Sequence, residues 1–151
     1  MSQAAERKIT KIVKVMANER ERKVAALFSA TQQEENAARA YQEAIEREAS
    51  ARELRALEAP GARAADWEQE AAWRMHLGQV REAAAESYEE ARTVVVTARD
   101  HVRESHSRVR RLEVLLDRMA ETRRVDETRQ ERKAEDDWVM SNPSASHSSA
   151  S

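Results

Sequence analysis

Four histidines are the side chains of this chain best suited to metal binding or acid–base catalysis. They are His76, His101, His106 and His147. None has the HExxH spacing that places two imidazoles on one helix face with a glutamate next to the first of them, and no carboxylates complete a zinc site. The sequence also lacks cysteine, a glycine-rich phosphate loop and a nucleophile elbow. We therefore predict a protein that is not an enzyme and that holds no metal and no cofactor.

Arginine and lysine are the residues whose spacing does indicate a chemistry, which is ionic contact with an acidic partner. Residues 7–23 carry seven basic and two acidic side chains, and residues 99–124 carry eight basic and five acidic ones. Residues 34–90 carry the opposite balance, seven basic and fourteen acidic side chains. A basic surface steers an acidic protein towards it. The residues that we predict for this partner-binding surface are Arg7, Lys8, Lys11, Lys14, Arg108, Arg110, Arg111, Arg118, Arg123 and Arg124.

Trp138 is the second kind of binding residue that the sequence offers. It follows a stretch from Glu121 that is almost wholly charged, and only Val139 and Met140 accompany it as large apolar residues at the end of that stretch. Exposed tryptophan is enriched at the energetic centres of protein interfaces. We predict that Trp138 anchors a contact with a protein partner.

The simplest alternative is that the basic side chains form only a solvated face, which is common for charge runs on long helices. Nucleic-acid binding is a weaker alternative, because the net charge of -2 shows no basic excess of the kind that it requires. Acidic residues at Glu113, Asp117 and Glu121 also interrupt the second basic segment. The longest uncharged internal run, residues 24–33, has ten residues and is too short to cross a bilayer. Binding to an anionic membrane surface or to DNA stays an alternative, and salt-sensitive binding would reveal it.

The elements that must position these residues are two long helices. From about Trp67 to Trp138 there is no proline and only one glycine, Gly78, and apolar residues recur with alternating spacings of three and four, which is typical of a coiled-coil seam. One seven-residue track reads Leu77, Ala84, Ala91, Ala98, Ser105, Leu112 and Met119. The second predicted track, in which His101 takes a seam position, reads Trp73, Val80, Ser87, Val94, His101, Arg108 and Leu115.

The first part of the chain has a weaker helical pattern, interrupted by Arg20, Lys23 and Glu34. Pro60 and Gly61 then end the helix, because proline disfavours helical geometry before it and glycine tolerates the left-handed conformation that follows helices. The apolar side of this first helix is predicted to contain Ile9, Val13, Met16, Leu27, Ala30, Ala37 or Ala38, Tyr41, and Ala44 or Ile45.

The fold class that follows is all-α, a two-helix antiparallel coiled-coil hairpin forming an elongated rod with a C-terminal helical overhang. High charge (36%) and few aromatic residues (4%) agree with a thin rod rather than a round core. One hairpin spans residues 1–140, with helix 1 at about 2–58, the turn at about 59–63 and helix 2 at about 64–139. The Ser-rich tail, residues 141–151, is predicted to be disordered.

The position of the turn also predicts the register of the hairpin. If the turn is centred between Pro60 and Gly61, the numbers of facing residues sum to about 121, give or take one helical turn. Leu27 then lies near Val94 and Tyr41 near Val80. The first helix runs out opposite residue 120, so the overhang begins at about residue 121.

This organisation resembles one family. The layout, with ITKIVKVMANERERKVAALFSA early and RRLEVLLDRMAETRRVDETRQERKAEDDW late, is similar to that of the type III secretion stalk proteins, flagellar FliJ and the injectisome proteins of the YscO type. The resemblance covers residues 1–140. It implies a cytoplasmic protein, peripheral at the inner-membrane secretion apparatus, whose terminal end enters the hexameric export ATPase and which links that ring to the export gate. Some relatives also handle secretion chaperones.

The main alternative is a dimerising coiled-coil scaffold in which two chains run parallel. The hairpin predicts an isolated monomer, whereas the scaffold predicts an obligate dimer of continuous helices, so sedimentation separates the two. Partners in either case are proteins, and the sequence predicts neither nucleic-acid binding nor an integral membrane segment.

Overall fold

The computed structural model describes residues 3–56 and 64–143, and both parts are helical. Helix α1 is Gln3–Ala56, with 54 residues, and helix α2 is Ala64–Ser141, with 78 residues. Cross-helix contacts show that the two helices pack against each other in opposite directions, which confirms the predicted all-α helical hairpin. The predicted turn at 59–63 and residues 144–151 of the predicted Ser-rich tail lie outside the described residues.

The chain divides into two compact units. One comprises Met1–Asn18 and His106–Ser151 and is called the terminal unit; the other, Glu19–Ser105, is called the central unit. In the central unit α1 and α2 meet through a stacked pair of tyrosines, Tyr41 and Tyr88, and through an ion pair between Glu48 and Arg81. In the terminal unit they meet through an ion pair between Glu6 and Arg123.

The seam of α1 follows an uninterrupted heptad repeat. Its buried and half-buried side chains alternate in steps of three and four from Glu6 to Ala51. The predicted apolar residues lie on this face, and so do the predicted interruptions Arg20, Lys23 and Glu34, which are half-buried. Charged groups in a seam lower stability but favour one register over others. The seam residues are Glu6, Ile9, Val13, Met16, Arg20, Lys23, Leu27, Ala30, Glu34, Ala37, Tyr41, Ala44, Glu48 and Ala51.

The seam of α2 confirms one predicted track and corrects the other. The track that begins at Leu77 and ends at Met119 is buried or half-buried throughout. The second track was predicted one residue too early: Trp73, Val94 and the exposed His101 flank the seam instead of forming it. The actual second track is Arg74, Arg81, Tyr88, Val95, Val102, Val109 and Leu116.

The physical reason is that both tracks satisfy the heptad rule. A residue three positions after Leu77 and a residue four positions after it lie on opposite sides of the same stripe, so spacing alone permits either. From Tyr88 to Leu116 the actual track is apolar without interruption, whereas the predicted one includes His101 and Arg108. Burial of the more apolar side decides the choice.

The predicted register is also wrong. The residue numbers of Tyr41 and Tyr88, and of Glu48 and Arg81, each sum to 129 instead of about 121. The difference of eight residues is about 12 Å along a helix, more than the one turn allowed for. Packing of the tyrosines and pairing of charges along the seam, rather than the position of Pro60, set the alignment that the structure shows.

Among the residues whose burial the structure describes, few side chains are deeply buried in either unit. In the central unit they are Ala30, Ala44, Leu77, Val95 and Ser105, and in the terminal unit Val109 and Met119. Because most of these residues are small, each unit depends on close approach of the two helices along a narrow seam. Truncation of a single large seam residue should therefore lower the free energy of unfolding.

The C-terminal part of α2 extends past the start of α1. All residues from Ala120 to Pro143 are exposed. Glu6, which is close to the first residue of α1, pairs with Arg123, so α1 begins near this level of α2. The helix ends where the backbone N–H of Asn142 donates to the carbonyl oxygen of Trp138 at 3.0 Å. Across the described residues, no helix is long and apolar enough to cross a membrane.

Candidate functional site

The structure places all eleven predicted partner-binding residues in the terminal unit. The four from the first helix lie within Met1–Asn18, and the six arginines and Trp138 lie within His106–Ser151. Every one of them is exposed. Sequence reasoning thus chose residues that the fold gathers in one unit, although their role in binding stays a prediction.

The positive charge of this unit is concentrated in residues 1–18 and 106–125. Residues 1–18 carry four basic side chains and one acidic one, and residues 106–125 carry six basic and three acidic ones. Further along α2 the balance reverses, with six acidic and three basic side chains in residues 126–137. The central unit, by contrast, carries thirteen basic and eighteen acidic side chains in Glu19–Ser105. The basic surface is therefore a local property of the terminal unit.

One part of this surface is a groove between the helices, which we call the first basic groove. Lys11 and Lys14 follow Arg7 in steps of four and three, so the three cations lie along one face of α1. Arg123 of α2 lies on the other side. The groove is completed by polar side chains, so that its lining is Gln3, Glu6, Arg7, Thr10, Lys11, Lys14 and Arg123.

An ion pair fixes the first basic groove in place. Nη1 of Arg123 donates to Oε2 of Glu6 at 2.7 Å, and Nε of Arg123 lies 3.8 Å from Glu127. The Glu6 side chain is 17% exposed and that of Arg123 is 44% exposed. This contact ties the start of α1 to α2, and it commits much of the Arg123 charge to the fold itself.

A second basic groove lies on α2 alone. It is lined by Arg110, Arg111, Val114, Leu115 and Arg118. Val114 is 37% exposed and Leu115 38% exposed. Sequence reasoning identified the three arginines but missed this apolar floor, because it assigned Leu115 to the seam. Guanidinium groups around exposed aliphatic side chains suit a partner surface that is acidic at its rim and apolar at its centre.

The candidate cations differ in how free they are to bind. Arg124 donates to Glu121 through Nη2 at 2.7 Å and through Nε at 3.3 Å. These hydrogen bonds, and then the positive charge of Arg124, lower the pKa of the Glu121 carboxyl below its ordinary value of 4.5. Within residues 3–56 and 64–143, the other predicted cations apart from Arg123 have no carboxylate at ion-pair distance. These eight unpaired cations are Arg7, Lys8, Lys11, Lys14, Arg108, Arg110, Arg111 and Arg118.

Trp138 is not part of either groove. It follows Arg123 by fifteen residues on the same helix, about 22 Å along the axis. Its side chain is 59% exposed, and its neighbours Val139 and Met140 are 45% and 81% exposed. The structure therefore shows an isolated apolar group at the end of α2, apart from both basic grooves, and its role in partner contact stays a prediction.

The central unit has an exposed apolar surface that sequence reasoning did not single out. Leu54, Trp73 and Val80 lie around a groove whose floor includes the buried Leu77. The ring of Trp73 lies 5.6 Å from that of His76. The sequence does contain a signal for this surface, since Trp73 and Val80 are one heptad apart, but the predicted second track places both of them in the seam.

A metal site is absent from the described residues. No group of three histidine, aspartate or glutamate side chains there could hold a metal ion. The candidate site is therefore described by charge and exposed surface alone.

Comparison with known proteins identifies the family. Searches among curated proteins and among solved structures find no match to this chain. The family model described as "Flagellar FliJ protein" matches residues 6–148, which include both helices almost completely. The chain therefore belongs to the FliJ family, the stalk proteins of flagellar and type III protein export.

Proposed function

We propose that this chain is a non-enzymatic stalk and adaptor whose terminal unit contacts the hexameric export ATPase, and which links that ATPase to the export gate. Membership of the FliJ family gives the coarser statement that it is an export component. The observation that supports the finer one is the set of eight exposed, unpaired cations in the terminal unit. The protein is then cytoplasmic and peripheral at the inner membrane, and secretion chaperones are further possible partners.

The proposed contact works through charge and shape rather than through covalent chemistry. Unpaired guanidinium and ammonium groups bind carboxylates without first breaking an internal ion pair, so little is lost on association. Arginine is well suited to this, because its planar group binds a carboxylate through two hydrogen bonds. Contacts of this kind speed encounter, and salt screens them at distances beyond about 10 Å.

The test is stimulation of the cognate export ATPase by purified chain. Four arginines of the terminal unit, Arg108, Arg110, Arg111 and Arg118, are replaced together by alanine. The control replaces four exposed arginines of the central unit, Arg22 and Arg39 of α1 and Arg99 and Arg103 of α2, and so removes the same amount of charge. We expect the concentration needed for half-maximal stimulation to rise at least tenfold for the first variant. For the control variant it should change less than threefold.

A second variant separates the two grooves. Replacing Arg7, Lys11 and Lys14 by alanine removes the unpaired cations of the first basic groove and leaves the second intact. A loss in both terminal-unit variants supports contact through both grooves. If the control variant loses as much stimulation as the first variant, or if neither terminal-unit variant loses any, the terminal unit is not the ATPase contact.

The same proposal requires the isolated protein to be a monomer. In each unit α1 packs against α2 of the same chain, which leaves no need for a second chain to cover the seam. Sedimentation equilibrium should give a mass near 17.2 kDa. A mass of about twice that value at micromolar concentration would favour the dimerising scaffold instead.

A further inference from the structure

The central unit has more than one way to align its seam. In the structure, facing residue numbers sum to 129, so that Ala56 at the end of α1 is level with Trp73. The first nine residues of α2, Ala64–Ala72, therefore lie beyond the level of Ala56, the last residue of α1. A displacement of seven residues would bring Ala56 level with Asp66, close to the start of α2 and close to the alignment predicted from Pro60 and Gly61.

Alanine packing does not oppose such a displacement. On α1 the seam alanines Ala30, Ala37, Ala44 and Ala51 recur every seven residues, and on α2 Ala84, Ala91 and Ala98 do the same. After a shift of one heptad, Ala30 and Ala37 again face alanines, Ala91 and Ala84, whereas Ala44 comes to face Leu77. Large interlocking residues specify a register because a shift creates cavities and overlaps, whereas a repeated small residue does neither.

The charged seam residues favour one direction of shift. Arg81 pairs with Glu48 at 3.2 Å, and the Glu48 side chain is only 13% exposed. One heptad earlier, Arg74 occupies the equivalent position, and its enclosed Nε has no hydrogen-bond partner. Displacement by seven residues brings Arg74 beside Glu48 and Arg81 beside Tyr41. The opposite displacement would bring Tyr88 beside Glu48 and leave that carboxylate without a seam arginine.

We propose that α1 and α2 exchange between two registers, the one described and a second displaced by one heptad, in which Glu48 changes its cross-helix partner from Arg81 to Arg74. Because each helix is continuous through both units, the same displacement separates Glu6 from Arg123. The displacement is about 10 Å along the helix axis. Discrete axial steps of one helix past another are an established kind of conformational switch. Because Trp73 would become level with residue 49 rather than Ala56, the exchange would rebuild the exposed groove around Trp73 and Leu54.

Spin-label distances measure the exchange directly. The chain has no cysteine, so labels can be attached to Gln32→Cys and Ala72→Cys, both exposed and both in the central unit. Their axial separation is about 37 Å in the described register and about 27 Å in the displaced one, at 1.5 Å per residue. We expect a pulsed electron-resonance measurement on the full chain to show two populations that differ by roughly these distances.

Two matched substitutions should shift the populations in opposite directions. Arg81→Gln removes the cross-helix partner of Glu48 in the described register and should increase the shorter-distance population. Arg52 of α1, 2.8 Å from Glu48, belongs to the same helix and favours neither register. Arg74→Gln removes the partner in the displaced register and should abolish that population. Labels at Ala72→Cys and Asp100→Cys, both on α2, serve as the control and should give one unchanged distance.

A single distance near the longer value in the parent chain and in Arg81→Gln would overturn the proposal. So would a shift in the same direction in both variants, since that would reflect general loosening of the seam. If Arg81→Gln does not fold, the parent chain and Arg74→Gln still decide, because the shorter population must be present in the first and absent in the second.

Discussion

Three consecutive valines of α2 offer a sharp test of the observed seam. Val95 is 2% exposed, whereas its neighbours Val94 and Val96 are 52% and 56% exposed. All three lie in the middle of the same helix in the central unit, so replacing each by alanine makes the same chemical change in three environments. The structure predicts that only the middle substitution destabilises the protein.

The magnitude follows from burial. Valine to alanine removes two carbon groups, worth about 1.6 kcal/mol when fully buried, and a residual cavity brings the loss to about 2 kcal/mol. Alanine has the better helix propensity by about 0.5 kcal/mol, which offsets part of that loss. Val95→Ala should therefore cost about 1.5 kcal/mol. For Val94→Ala and Val96→Ala, half exposure and the propensity gain leave a change within about 0.5 kcal/mol.

Urea unfolding of the full chain, followed by circular dichroism at equal protein concentration, measures these differences. In thermal unfolding Val95→Ala should lower the midpoint by about 3–6 °C, and the flanking variants by less than about 2 °C. The predicted seam, which contained Val94, gives the opposite order. A larger loss for Val94→Ala than for Val95→Ala would refute the second track described here.

Three further outcomes follow from individual contacts. The rings of Tyr41 and Tyr88 are stacked with centroids 6.2 Å apart. A double-mutant cycle with leucine at each position should therefore give a coupling free energy of about 0.5–1.5 kcal/mol. Zero coupling would contradict the stacked arrangement. Glu6→Gln should cost less than about 1 kcal/mol in urea unfolding, and the cost should shrink at high salt; a salt-independent loss would indicate a role other than ion pairing. Because the pKa of Glu121 is lowered, its pairing with Arg124 stabilises the fold above pH 4.5, and this contribution is lost as the pH falls through the lowered pKa. Arg124→Ala should raise the pKa of Glu121 in a carbon-13 NMR titration. An unchanged pKa would exclude the pair in solution.

The candidate site was predictable in part. The basic residues could be named because charge is read directly from residue type, and a hairpin necessarily brings the early and late basic segments into one unit. The apolar floor at Val114 and Leu115 could not be assigned, since that required knowing which side of α2 faces α1. The pairing of Arg124 with Glu121 and of Arg123 with Glu6 could not be assigned from the sequence either. This pairing distinguishes those two arginines from the unpaired ones.

The sequence by itself determined the two helices and one side of the seam, and it favoured opposite helix directions over a parallel dimer. Long stretches without proline, a break at Pro60 and Gly61, and the track from Leu77 to Met119 are local properties that need no partner to be recognised. Only the tertiary structure decided the other side of the seam and the register. Heptad spacing is satisfied equally by Val94 and by Val95, and repeated alanines fit in more than one alignment, so contacts between the helices had to make both choices.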